Sequence, residues 1–178
     1  MRKIAITLGV IVAFAGSAFA QTMDHSKMNH AAHKTTMADA QREAEVSQRG
    51  EEVMPFSLAA TTHIFTKNAE GGMQQVVVKK STDADQVNLV REHLLEIRKQ
   101  FLNGDFSGPS RIHGDDMPGL ADLKTARPGQ ISIVYQDVEG GAELIYKTSD
   151  ASLGTALHQW FDAQLSDHGK DAMEGHSK

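Results

Sequence analysis

The chain contains no cysteine. Disulfide staples are therefore excluded, and the core must hold the fold unaided. A thiolate nucleophile and haem attachment through C-x-x-C-H are excluded as well. Any metal site must be assembled from histidine, methionine and carboxylates. Positive charge is also short: 18 Lys and Arg stand against 23 Asp and Glu, a formal net charge of −5. Nucleic acid and anionic lipid both require a positive field, so neither is an expected partner. There is no G-x-S-x-G nucleophile turn and no phosphate-cradling glycine loop. Gly71-Gly72 and Gly140-Gly141 fit hairpin turns instead.

Long apolar runs are lacking too. Ile4 to Ala15 is too short to span a bilayer with ease. It follows the basic start Met1-Arg2-Lys3 and precedes the A-x-A string Ala18-Phe19-Ala20. That combination predicts a secretory signal peptide over residues 1–20 and a mature chain beginning at Gln21, with a retained membrane anchor as the alternative. No cysteine follows, which excludes a lipid-anchored form. The expected location is periplasmic or secreted, with no membrane contact after cleavage. Without Arg2 and Lys3 the net charge falls to −7, suited to a neighbour of cations.

What the chain does hold is a run from Met23 to Met37 that carries Met23, Met28 and Met37 beside His25, His30 and His33. Almost nothing apolar accompanies them, so packing cannot order the run and residues 21–52 read as a flexible leader and linker. Thioethers and imidazoles are the donors that soft and borderline cations choose. Copper is the expected ion, with silver or zinc as alternatives; thioether is a weak zinc ligand. A helix would place His30, His33 and Met37 on one face, since they are three and seven positions apart. Ala38 to Met54 reads as a linker or frayed helix that Gly50 ends.

Residues 53–168 read as one α+β domain. Ala60 to Thr66 and Met73 to Lys79 suit two strands of a hairpin. A helix follows, capped by Asp83 with Gln86 and carrying Val87, Val90, Leu94, Ile97 and Phe101 as one apolar stripe. Asp105 to Gly119 reads as a long loop, and loops of that length inside a compact domain are usually functional or disordered. Gly119 to Ala126 suits a short helix. Gln130 to Gln136 and Glu143 to Lys147 form a second hairpin. A last helix, capped by Ser149 or Asp150, buries Leu153, Ala156, Leu157, Trp160, Phe161 and Leu165. The repeated order predicts a duplicated ββα unit: a four-stranded antiparallel sheet with two helices on one face. Residues 169–178 read as a polar tail.

The domain's histidines form a second constellation. His63 lies mid-strand, His93 and His158 flank helical stripes, and His168 follows the last helix. His93 reads as a packed or surface residue. His113 stands in the long loop beside Asp115 and Asp116, either of which could orient its imidazole or ligate directly. Convergence of His63, His113 and His168 would make a three-histidine site.

Four strings run together through this domain: Val53-Met54-Pro55-Phe56, Thr61-Thr62-His63-Ile64-Phe65, Arg111 to Leu120, and Ala156 to Gln164 continuing to Asp167-His168-Gly169. In these the chain resembles a group of small secreted bacterial proteins, often labelled aspartate carbamoyltransferase and found in heavy-metal resistance contexts. The resemblance spans most of Val53 to Gly169. It implies an exported, metal-linked role and adds weight to His63, His113, His158 and His168. The Ser-Thr-Arg-Thr motif with which carbamoyltransferases hold carbamoyl phosphate is absent, so the transferase reaction is not implied.

Three functions follow as expectations. The first is a periplasmic metal buffer or carrier, with His25, Met28, His30, His33, Met37, His63, His113, His158 and His168 as ligands and other periplasmic metal-handling proteins as partners. The second is a small secreted enzyme with His113 and Asp115 or Asp116 as base and orienter. The third is a binding module that uses an open sheet face.

Overall fold

The computed structural model describes residues 25–176, with side chains in the first helix from Met37 onward. The expected signal peptide and Met23 lie outside the described residues.

The chain folds as α+β, with a five-stranded mixed sheet and five helices. The first helix, α1, spans His25–Val53. A 3-10 turn at Leu58–Ala60 leads into β1 (Thr61–Asn68), which pairs antiparallel with β2 (Gly71–Val78). Then come α2 (Ala84–Leu102), α3 (Ser107–His113) and α4 (Leu120–Lys124). A second hairpin, β3 (Ser132–Val138) and β4 (Gly141–Lys147), precedes α5 (Ala151–His168) and β5 (Ala172–Glu174).

The expected four-stranded antiparallel sheet is corrected in one respect. The sheet order is β3-β4-β2-β1-β5, and β5 runs parallel to β1, with His63 opposite Ala172. The polar tail therefore supplies the fifth strand. Its pairing covers the backbone edge that β1 would otherwise expose, and Gly175 N–H donates to the Phe65 carbonyl at 2.9 Å. The hairpin–helix order occurs twice, but the two hairpins hold different places. β1 lies inside the sheet, whereas β3 is an edge. Arg98 and Arg91 of α2 guard that edge by donating to the Ile133 and Val138 carbonyls.

Period-two alternation places His63, Phe65, Gln74, Val76, Ile133, Leu144 and Tyr146 on the face that α2 and α5 cover. Their apolar members join Leu94, Phe101, Leu157, Trp160 and Phe161 in one core. The opposite face carries Ile64, Met73, Val134, Ile145 and Met173, half-buried or exposed.

Both long helices behind the site begin on aspartate caps. Asp83 accepts from Gln86 N–H, and Asp150 accepts from the N–H groups of Ser152 and Leu153. Asp150→Ala should lower unfolding stability, read as an earlier midpoint in a urea titration.

Two further expectations are corrected. Gly50 does not end the first helix, which continues one turn to Val53. A Cβ there would lie 2.9 Å from Leu58 Cδ1, so the glycine serves close packing against the domain. Asp105 to Gly119 is not an unbroken loop either, because it contains α3. Ile112 and His113 of that helix are both buried. Gly119, at φ +76°, then brings α4 against α5, where a Cβ would meet the Ala156 carbonyl at 2.1 Å.

Candidate functional site

Four histidines line one cavity of about 490 Å³ between α2, α3, α5 and the covered face of the sheet: His63, His93, His113 and His168. Each arrives on a different element. His63 comes from β1, where alternation turns it inward next to Phe65. His93 comes from the flank of α2, its ring edge-on to Phe56 at 5.5 Å. His113 ends α3, and His168 ends α5. The rings of His63 and His168 stack at 4.8 Å and 4°, and His113 meets His168 edge-on at 5.1 Å. The expected convergence of His63, His113 and His168 is thus present.

Burial sets the protonation of this cluster. His63 is pushed down to about 4 by desolvation, with the nearby His93 adding to the effect. Burial likewise brings His93 down to about 4. His168 falls well below its ordinary range through burial first and the neighbouring His63 and His113 second. These three imidazoles are neutral at pH 7 and need not shed a proton to act as ligands.

His113 is held differently. Its Nδ1 lies 2.8 Å from Asp167 Oδ2. Burial raises the Asp167 carboxyl, but hydrogen bonds from His113 and Arg42 outweigh it, and the net shift is downward. A carboxylate only accepts, so Nδ1 carries the proton of this bond and Nε2 is the ring nitrogen left for another partner. Arg42 of α1 grips the same carboxylate as a fork, Nε to Oδ1 at 2.6 Å and Nη2 to Oδ2 at 2.7 Å. Nη2 also donates to the His113 carbonyl at 3.0 Å, and Arg49 Nε donates to the Ile112 carbonyl at 2.6 Å. These bonds, with buried Val46, dock the second half of α1 onto α3 and α5.

This replaces the expected partner of His113. Asp115 instead pairs with Lys124 at 2.9 Å on the surface, and Asp116 is exposed. Asp167, which sits directly before His168, is the residue that sequence reasoning missed. The adjacent carboxylate–imidazole pair at the end of the last helix was the available signal. Residues 42 and 167 lie too far apart in sequence for any local pattern to join them. His93 was also missed, because a helix flank does not announce that a cavity will form beside it.

Among the described residues, His63 Nδ1 and Trp160 Nε1 are sealed from solvent and make no side-chain hydrogen bond that meets the usual geometry. His168 Nε2 meets Gln164 Oε1 at 3.1 Å. Among the described residues no three His, Asp or Glu side chains stand as a ready metal-ligand group. The stacked rings of His63 and His168 account for this, since parallel planes do not aim their lone pairs at one point.

The remaining predicted ligands lie elsewhere. His158 Nε2 faces the Asn68 and Gly71 carbonyls at 3.0 and 2.8 Å, so it donates to the β1–β2 turn and does not join the cluster. Met37 is exposed on α1. His25, Met28, His30 and His33 belong to the same helix, where positions 30, 33 and 37 share one face; their side chains lie outside the described set. No described helix is long and apolar enough to cross a membrane.

Comparison with known proteins closes the description without a relative: no protein-family model, curated protein or solved structure gives a significant match to this chain.

Proposed function

We propose that the protein is an exported metal-binding protein, for copper first, that buffers or carries the ion in metal tolerance. The observation that carries the reading is the packing of His63, His113 and His168 into one buried cavity, two of the rings neutral and the third aimed by Asp167. A buried carboxylate behind an imidazole is the usual second layer of a histidine metal site. Metal uptake here requires the stacked pair to turn apart, which makes the interior site slower to fill than an exposed one. The Met/His run from Met23 to Met37, of which Met37 is exposed, is the faster site.

The test is a titration of mature, chelator-treated protein with Cu(I), Cu(II), Ag(I) and Zn(II), followed by elemental analysis. Removing residues 21–37 should leave one slow equivalent of copper bound. His63→Ala with His168→Ala should abolish that equivalent and leave the fast one. A chain that stays empty at micromolar metal overturns the proposal, and unchanged stoichiometry in the truncation removes the arm's role.

A second reading draws on the same dyad. His113 with Asp167 at 2.8 Å, itself fixed by Arg42, is the geometry of an oriented general base facing a cavity. Hydrolytic turnover of neutral esters or amides that vanishes in His113→Gln and persists in chelator would favour it over metal storage.

A further inference from the structure

We propose that the sheet face opposite α2 and α5 docks a second copy of this chain in a two-fold dimer. This goes beyond the metal reading and does not depend on it. Three rows of side chains cross that face, and the strand register fixes what a second copy meets. The middle row is apolar: Val134 stands beside Ile145, and Ile145 beside Met73. Val134 is 47 % exposed, and the other two are half-buried. Two residues along each strand, the row on one side is Ser132, Lys147 and Gly71. The row on the other side is Gln136, Glu143 and Gln75. Among the positions of β1 to β4 on this face, Glu143 is the only carboxylate and Lys147 the only cation.

The first ground is self-complementarity. A two-fold axis laid along the apolar row turns that row onto itself. Val134, Ile145 and Met73 then meet their own copies. The same rotation lays each flanking row over the other. Lys147 faces Glu143 of the second copy, and Ser132 and Gly71 face its Gln136 and Gln75. The match is one of size as well as charge, because the small residues of one row oppose the long amides of the other. Face-packed sheets lie about 10 Å apart with strand directions within about 30° of each other, a gap that a lysine and a glutamate span together.

The second ground is Glu143 itself. It is 6 % exposed, and among the described residues the side chains that meet it are the amides of Gln75 and Gln136, not a cation. A carboxylate so far withdrawn from water is costly without a positive partner. Gln136 is exposed and can swing aside to admit one. Lys147 is exposed too and holds only the surface carboxylate of Glu70, a weak tie that leaves it free to turn outward. Area then sets the strength. Four strands of seven or eight residues make a face about 20 by 25 Å, so two copies bury roughly 1,000 Å². That lies at the lower end of specific interfaces and fits a dimer that forms at micromolar concentration.

The test follows mature, chelator-treated protein by sedimentation equilibrium from low micromolar to submillimolar concentration. A monomer–dimer equilibrium is expected. Val134→Lys, at an exposed position, should weaken it at least about tenfold by setting two lysines together at the axis. Lys147→Glu and Glu143→Lys should each weaken it as much, because each brings like charges together. An equimolar mixture of those two variants should recover the dimer, since every cross-pair in the mixed dimer is opposite in charge. Circular dichroism shows whether each variant is folded, and Val134→Lys with Lys147→Glu carries the test if Glu143→Lys is not. The proposal is overturned if the parent stays monomeric throughout, if its dimer is unmoved by Val134→Lys and Lys147→Glu, or if the folded pair stays monomeric when mixed. Because chelator is present throughout, failure here leaves the copper reading standing, and an empty copper titration leaves the dimer standing.

Discussion

Asp167→Ala should cost the fold about 3 kcal/mol and loosen α1 from the domain. The figure has two parts. His113 is 2 % exposed, and without Asp167 its Nδ1 donor is buried unpaired, a loss of about 1–3 kcal/mol. The Arg42 fork contributes less, because the Arg42 side chain is 46 % exposed and water screens the pair; about 1 kcal/mol is its share. Asp167→Asn keeps the shape and one acceptor, so it should lose roughly half as much. Urea unfolding followed by Trp160 fluorescence measures both. The site should respond as well as the fold. Freed from Asp167, the His113 ring no longer has a fixed tautomer, and interior copper affinity should fall about 10–100-fold in Asp167→Asn. A destabilised variant with unaltered copper affinity would confine Asp167 to a structural role. A variant as stable as the parent would contradict the hydrogen-bond geometry itself.

Acid should weaken the apo-protein well above the pH at which carboxylates protonate. His63 has a folded pKa of about 4, against 6.5 when unfolded. The unfolded chain therefore takes up the proton first as pH falls below 6.5. The stability tied to the neutral ring is complete above pH 6.5 and is lost between 6.5 and 4. For His63 alone that loss is about 3 kcal/mol by pH 4. His168 is displaced in the same direction and adds to it. Asp167 is linked in the same direction, since its carboxyl is also lowered, but its loss belongs to the ordinary carboxylate range and begins only at the acid end of this window. Denaturant midpoints at pH 7.5, 6.0 and 4.5 should fall steadily in the parent and more gently in His63→Gln. Equal midpoints at 7.5 and 4.5 would mean that His63 is not buried as a neutral base. Bound metal should steepen the same profile, since protons and cation compete for the imidazoles.

Much of the domain was legible because its signals are local. The stripe Val87, Val90, Leu94, Phe101 announces α2, and the aspartate caps announce where α2 and α5 begin. The two Gly-Gly turns announce the hairpins. The tail was misread because Ala172–Glu174 has no strand character of its own; it becomes a strand only where β1 offers an unpaired edge. Ala38 to Met54, read as a linker or frayed helix, is the last part of α1 up to Val53, and what docks it lies outside the segment. Its polar composition predicts no core, and few of its side chains are buried. It is fixed by Val46 and by two arginines whose acceptors lie in α3 and α5.

The chemistry divides along the same line. Composition determined that any ion must be met by imidazole, thioether or carboxylate, because the chain has no thiol, and the places of His63, His113 and His168 in the predicted elements, with the resemblance, singled those three out. Only the tertiary structure decided that these three share a cavity with His93, that His158 serves a turn instead, and that Asp167 with Arg42 aims His113. The physical reason is range. Side-chain type and periodicity report what a residue can do within a few positions of itself, whereas a site made by β1, α1, α3 and α5 exists only once long-range packing has brought those elements together.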